Sequence, residues 1–555
     1  MLRKKLLPLA LMALGHASAI AQPPTAGSQI QQIPPSPVPP KTAPDVRIET
    51  GKPPAAGPSD SVKIVVNGLR VTGARAYPEA ELVALTGFKP GSELSMADLL
   101  RMAARVVDQY RRDGYLLAQA YLPAQDVKDG VVTIAVLEGH YGKISFRNGS
   151  NMSERLLASQ IDGLHTGDVV TVAPLESGLL LLSDLPGVTV KSTLAPGASV
   201  GTADLIIDVT PGRRVSGSVD VDNAGNRYTG QYRLGATVNV NQVLGLGDVA
   251  TLRAISSGDG LNYARASYQM QFGKAQAGVG YSKLRYKLGK EFAPLDAHGT
   301  AGIASVFASY PLIRSRNANL YAQIAYDART FRDEVGLTGA RSDKRTNVLM
   351  ASLYGDRRDR FGGGGANAAS LTWSAGDLDI RTPEVLAIDA ATARSNGSYN
   401  KLAYSASRVQ RVTDAVALSA AINGQFASKN LDVSEKMELG GMNAVRAYPE
   451  GEAYADQGYV LSLEARLLLP KLAAQQPGQL QLVGFVDSGR VTRERDPWTA
   501  GPNSRTLSGA GLGLVWAESN NFMVRAYYAR KLGSETAMSA PDKSGRFWFQ
   551  AVKFF

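Results

Sequence analysis

From Arg213 onward the chain alternates apolar and polar residues in long runs. In 264–272 one face is Ala264, Ala266, Tyr268, Met270 and Phe272, and the opposite face is Arg265, Ser267, Gln269 and Gln271. The stretches 320–328 and 416–426 repeat the pattern. A period of two predicts strands with unlike faces. Many such runs with no helix between them fit a transmembrane barrel, apolar towards lipid and polar towards the lumen. A soluble sandwich usually has shorter strands. At roughly 20 residues per strand and connection, 213–555 makes about 16 antiparallel strands, an even number. The last of these is 546–555, which ends in an aromatic residue. Gly509, Gly511 and Gly513 lie inside one alternating run with no helix after it, so they read as strand glycines lining a crowded lumen. Gly362–Gly365 reads as a flexible loop.

Upstream the periods are mixed. Val62–Val71 alternates as a strand interrupted at Asn67-Gly68, and Pro78-Glu79 opens a short helix to Leu85. Ser95, with Asp98 three positions on, predicts a capped helix that has Leu99, Leu100, Ala103, Val106, Val107 and Tyr110 on one face and ends at Gly114. Strands follow at Leu116–Leu122 and Val131–Glu138. A second unit has the same order: a strand at Lys143–Arg147, helices at Ser153–Ile161 and Leu175–Leu182, and strands at Val188–Leu194 and Ala203–Val209. Two successive βααββ units make an internal repeat. The expected organisation is a signal peptide at 1–21, a Pro-rich linker at 22–61, α+β units at 62–139 and 140–212, and the barrel at 213–555.

The signal peptide is read from Arg3, Lys4 and Lys5, a short apolar run, and the small-x-small site Ala19-Ile20-Ala21. The linker carries Pro34-Pro35, Pro39-Pro40 and Pro53-Pro54 and no Pro-free run long enough for a stable helix, so it is expected to be a plain spacer, with a tether or pore-plugging segment as the alternative. No later stretch supplies the apolar length of a membrane helix.

Composition agrees with a barrel: 57 Gly, 22 Tyr and a mean hydropathy of −0.11. The absence of cysteine removes disulfide scaffolds and thiolate sites. The formal charge of +11 is spread over strands and loops rather than gathered in one stripe. No nucleic-acid partner is expected, because anionic outer-membrane lipid accounts for the sign. The four histidines (His16, His140, His165 and His298) have no metal-ligand spacing, and no nucleophile elbow or Walker loop occurs. The chain is therefore expected not to be an enzyme and to carry no metal or cofactor.

The motifs resemble a known family. In the first α+β unit these are Gly114-Tyr115, Leu122-Pro123-Ala124-Gln125-Asp126, Gly130 and Val136-Leu137-Glu138-Gly139. At the barrel entrance they are Asp222-Asn223, Gly225, Asn241 and Leu244-Gly245-Leu246-Gly247-Asp248. Late in the chain stand Val445-Arg446-Ala447-Tyr448 and Phe485-Val486-Asp487-Ser488-Gly489. The whole arrangement is similar to the two-partner secretion transporters, TpsB or ShlB/FhaC/HecB. These are outer-membrane β-barrels preceded by two periplasmic POTRA domains. The resemblance implies a pore that captures an unfolded partner exoprotein, TpsA-like, large and β-helical, and passes it to the surface or medium. An outer-membrane insertase of the same superfamily and a passive solute porin are the alternatives.

The resemblance also implies that Arg446, on a loop folded into the barrel, pairs with Asp487 on the inner wall. Spacing alone leaves open an exposed loop arginine and a plain turn at Asp487-Ser488-Gly489. Tyr448 and Glu450 are near enough in sequence to complete the hydrogen bonds of Arg446. Ala447 stands where the family has glycine, so the local backbone is expected to differ. Lys553, third from the end, departs from the apolar residue usual there and is expected to snorkel. The family often has an N-terminal plug helix, and the prolines here argue against a well-formed one. Client binding is expected at POTRA strand edges and tentatively in a groove of Leu156, Leu157, Ile161, Val188 and Val190, residues that equally suit a core.

Overall fold

The computed structural model describes residues 23–38, 45–48, 62–471 and 473–555. The expected signal peptide lies outside them.

A six-residue helix, α1 (Ala26–Gln31), comes first. Thr25 and Ser28 cap it reciprocally, each side chain accepting from the other's backbone amide. So short a helix cannot stand alone in water. It is held inside the barrel described below, with Ala26 fully buried and Ile30 and Ile33 packed on the wall. The expectation of a plain spacer is thus corrected for this stretch. The helix lies between the pairs Pro23-Pro24 and Pro34-Pro35, and tertiary contacts replace the length that an isolated helix needs. A short strand, β1 (Asp45–Ile48), also comes from the linker region.

The first α+β unit contains β2 (Lys63–Val66), β3 (Gly68–Thr72), α2 (Glu79–Thr86), β4 (Ser92–Ser95), α3 (Met96–Arg112), β5 (Gln119–Tyr121) and β6 (Val131–Leu137). The sheet order is β3-β6-β5, with β2 and β4 forming a separate pair. The α3 cap is a reciprocal Ser95–Asp98 box. β4 has no counterpart in the pattern reading, and β5 is shorter than the Leu116–Leu122 strand expected. Leu116 instead donates its amide to Val170 O of the second unit, 3.2 Å away, which ties the two units together. Glu138 is 4 % exposed and accepts from the amides of Arg75 and Ala76, both at 2.7 Å, and from the Tyr110 hydroxyl at 2.8 Å.

The second unit contains β7 (His140–Asn148), α4 (Glu154–Gln160), α5 (Val172–Asp184), β8 (Val188–Pro196) and β9 (Thr202–Pro211). Its sheet runs β1-β8-β9-β7, so β1 lies parallel along the outer edge of β8.

Sixteen strands then close into a barrel, each paired to the next and the last to the first. The first eight are β10 (Val215–Asp222), β11 (Arg233–Asn241), β12 (Val249–Ser256), β13 (Leu261–Phe272), β14 (Ala275–Lys287), β15 (Ala297–Arg314), β16 (Ala318–Val335) and β17 (Ala340–Asp359). The remainder are β18 (Gly365–Ile380), β19 (Gly397–Arg411), β20 (Val416–Ala427), β21 (Gln457–Leu468), β22 (Gln479–Thr492), β23 (Ser504–Glu518), β24 (Phe522–Lys531) and β25 (Gly545–Phe554). β25 pairs antiparallel with β10, and Asn223 extends that seam by bonding Phe547 O at 2.9 Å and the Phe549 amide at 2.7 Å. Leu418, Phe426, Ile324 and Tyr326 lie exposed on the outside, as the alternation requires. Lys553 also points outward, and its ammonium reaches Asn521 in the β24 hairpin.

The α+β units sit at one end of the barrel. Arg314 pairs with Asp184 at 2.7 Å and Arg316 with Glu176 at 3.2 Å. Gln160 donates to Gly273 O at 2.7 Å. Among the described residues no helix is long and apolar enough to cross a membrane; the strands are the elements suited to it.

Candidate functional site: a loop clamped to the inner wall

The connection from β20 to β21, residues 428–456, folds back into the lumen. Val445, Ala447 and Tyr448 at its tip are fully buried, in one cluster with Phe485, Tyr527 and Trp548 of the wall. Asp487 lies on β22 with its side chain inward, 0 % exposed, and Arg446 is 5 % exposed. Their contact is bidentate: Nε to Oδ2 at 2.8 Å and Nη2 to Oδ1 at 2.7 Å. The Arg446 amide adds a third bond to Oδ2 at 3.1 Å. A planar guanidinium matches a carboxylate in this side-on manner, which fixes orientation as well as distance.

The rest of the guanidinium is also occupied. Nη1 donates to Glu464 at 2.8 Å and Nη2 to Ser462 at 3.0 Å, both on β21. Ser462 in turn donates to Asp487 at 2.7 Å. Arg446 Cζ lies over the Phe485 ring, 3.5 Å from its centroid, a cation–π contact. Trp548 on β25 donates its indole N–H to the Arg446 carbonyl at 2.6 Å. Gly489 lets Leu439 of the loop approach, since a Cβ there would collide with Leu439 Cδ1.

Tyr448 and Glu450 do not bond the guanidinium. Tyr448 donates to Glu535 O at 3.1 Å, and Glu450 accepts from the Met442 amide at 2.8 Å, bracing the loop instead. Ser462 and Glu464 do what the pattern reading expected of those two. They lie at adjacent inward positions of β21, a strand partnered with β22, and sequence distance hid them.

More ion pairs staple the loop to other strands: Lys344–Asp432 at 2.5 Å, Arg329–Glu435 at 2.6 Å, Lys401–Glu435 at 2.8 Å and Arg505–Glu452 at 2.6 Å. None of these was singled out in the sequence. The available signal was a charged residue on the polar face of an alternating strand, which marks the lumen but not the partner.

Helix α1 lies beside this loop. Ala26 N–H donates to Asp333 on β16 at 2.7 Å, Gln31 to Val433 O at 2.7 Å, and Arg233 to Gln32 O at 2.9 Å. Gly27 abuts Ser434 so closely that an added Cβ would lie 2.9 Å from the Ser434 Cβ. Loop and helix thus occupy the lumen together.

The tentative client groove is not open. Leu156, Leu157, Ile161 and Val190 are buried in the core of the second unit, with Val188 half-buried against it. Gly247 of the barrel turn lies close to Leu156 and Leu185. Among the described residues no group of His, Cys, Asp and Glu is arranged to hold a metal.

The sequence matches the profile of the haemolysin secretion/activation proteins ShlB/FhaC/HecB over residues 201–516 and that of the ShlB-type POTRA domain over residues 64–139. It is 30 % identical over 477 residues to the heme/hemopexin transporter protein HuxB of Haemophilus influenzae, covering 84 % of this chain and 82 % of that one. It is 25 % identical over 523 residues to the outer membrane transporter CdiB of Escherichia coli, covering 91 % and 85 %. The fold is similar to solved CdiB from Escherichia coli at a TM-score of 0.68 and 21 % identity, over 91 % of this chain and 92 % of that one.

Proposed function

The chain belongs to the ShlB/FhaC/HecB family, and from that premise we propose how it carries a client. It is an outer-membrane transporter of two-partner secretion, with its POTRA domains in the periplasm and a secreted exoprotein as partner. The domain limits we assign are 62–139 and 140–212 for the POTRA units and 213–555 for the barrel.

The observation that carries this reading is a closed barrel whose lumen is filled by its own loop and helix, with two folded units beneath it. A passive solute porin has no use for either. In our reading the unfolded client adds a strand at a POTRA sheet edge, where backbone hydrogen bonds make little demand on sequence. Edge strands β3, β5 and β7 are candidates, whereas the outer edge of β8 already carries β1. The Arg446–Asp487 clamp then holds the loop in one position until the client displaces it. The client is a large β-helical protein that folds outside, and its folding prevents return. No ATP is available in that compartment, so this bias drives export. HuxB is a heme/hemopexin transporter, which makes a heme- or hemopexin-directed exoprotein the first cargo to test.

The test is co-expression with a candidate large exoprotein partner. Loss of that protein from the medium when Val62–Pro211 is deleted, with the barrel still in the outer membrane, is the expected result. Unchanged export would reject capture by the POTRA units.

A further inference from the structure

One arc of the barrel carries a belt of outward-facing bases. On β14 alternate residues point outward: Val279 and Tyr281 first, then Lys283, Arg285 and Lys287 towards the end remote from the POTRA units. The inward residues between them, Leu284 and Tyr286, are buried in the lumen cluster. On β16 and β17 the outward face changes in the same way, from Ile324, Tyr326, Leu349 and Leu353 to Arg332, Arg345 and Arg341. Arg381 follows β18.

Strand register sets these side by side. Lys283 pairs with Gly302, Gly302 with Thr330, and Thr330 with Arg345. One step outward, Arg285 pairs with Thr300, Thr300 with Arg332, and Arg332 with Asp343. At about 4.8 Å per strand, Lys283 and Arg345 are on the order of 15 Å apart. Arg332, Arg345, Arg381, Thr300 and Thr330 line a single cavity of about 340 Å³.

The seven bases of this arc (Lys283, Arg285, Lys287, Arg332, Arg341, Arg345 and Arg381) stand among five outward acids: Asp296 on Lys287, Glu334 opposite Arg341 and bonded to His298, Asp343, Asp377 and Asp379. Arg332 and Arg341 share one carboxylate, Asp343, at 2.8 and 2.6 Å, and remain 51 % and 48 % exposed. Asp379, the cross-strand neighbour of Arg345, is engaged by Arg381 at 2.9 Å. The Arg345 side chain is exposed and makes no hydrogen bond or ion pair among the described residues. By contrast, Arg490 on β22 stands as an isolated outward cation on a distant arc.

We propose that this arc, centred on Arg332, Arg341, Arg345 and Arg381, is a binding site for the phosphate groups of an outer-leaflet glycolipid. The proposal rests on the outer-membrane placement above. The side chains face lipid rather than lumen, which excludes the client as their partner. They stand just beyond the apolar band, at headgroup level, where each Lys or Arg near an anionic surface adds attraction. Guanidinium is the group that best matches a phosphate in a bidentate contact. A lipid anchored on one arc would fix that side of the barrel in the leaflet while the opposite side stays free.

The test measures binding of diphosphoryl lipid A to the purified full-length chain in neutral detergent, beside dephosphorylated lipid A and inorganic phosphate. R345Q is expected to weaken binding about fivefold, and R332Q/R341Q/R345Q/R381Q together a hundredfold or more. R490Q should leave it unchanged, and added salt should weaken the wild type. Heat-modifiable gel mobility verifies that each variant is a folded barrel. Folded quadruple variant binding as tightly as wild type overturns the proposal. So does displacement of the lipid by equimolar inorganic phosphate, which would make this a site for the free anion. A chain absent from the outer-membrane fraction would overturn the placement itself, a different result from correct placement with unchanged lipid affinity.

Discussion

The methyl group of Ala447 packs on the bare backbone of Gly509, a β23 residue on which any Cβ would collide with it. Ala447 does not occupy the left-handed region, so its side chain meets no backbone penalty here. The cost of a side chain at 447 is steric, and Gly509 absorbs it. G509A is expected to push the loop tip off the wall and depress export. G509A/A447G should restore export, because the colliding methyl is gone. Export of the reporter client with each variant at equal barrel abundance decides this.

Removing one partner of the buried clamp leaves an uncompensated charge, typically about 3–5 kcal/mol. R446A and D487N should therefore raise amide exchange in 440–450 a hundredfold or more, with the barrel strands still protected. R446K should be intermediate at best, since an ammonium cannot hold Asp487 side-on, reach Glu464 and stack on Phe485 together. Exchange measured by mass spectrometry on detergent-solubilised protein gives the comparison. Wild-type protection in R446A would mean the loop is held by its other ion pairs.

Deleting residues 23–33 should empty the part of the lumen that α1 fills. Single-channel conductance in planar bilayers is expected to rise severalfold over wild type. D333A, which removes the acceptor of the Ala26 amide, should give a smaller rise with frequent switching between levels. Equal conductance for all three would show that the loop alone closes the path.

Glu138 supplies a pH dependence to the first POTRA unit. Burial raises its pKa, but the Ala76 and Arg75 amides and the Tyr110 hydroxyl outweigh that and hold it below the ordinary carboxylate value. Folded protein therefore binds the proton less readily than unfolded chain. The stabilisation is complete above the unfolded value of about 4.3 and is lost as pH falls through the lower folded value. Tyr110 is shifted upward, first by burial and then by its bond to Glu138, so it stays a donor throughout the neutral range. E138A should destabilise this unit by about 1–3 kcal/mol at pH 7, the amides of Arg75 and Ala76 being left without their acceptor. Its effect should shrink towards pH 3. Limited proteolysis of residues 64–139 against pH reads both outcomes.

Legibility followed the range of the forces involved. The Ser95 cap, the α3 face and the alternation of 264–272 are local, and their periods lie in the chain itself. The pairing of Arg446 with Asp487 was reached through resemblance, because spacing alone also allowed an exposed loop. Ser462, Glu464 and Trp548 were out of reach: their approach to Arg446 is created by the register of β21 and by closure of β25 onto β10. α1 was misjudged for a related reason, since rules for isolated helices omit a lumen that supplies buried contacts.

What this chain's sequence determined by itself was its sequence-local order: two mixed units, then a long succession of two-faced strands carrying charges on the inward side. Only the tertiary structure decided which of those charges meet, which lumen space the chain fills with its own segments, and which cations remain outside facing lipid. Period and capping act over a few residues, whereas ion pairing and steric fit act between surfaces that closure of the barrel brings together.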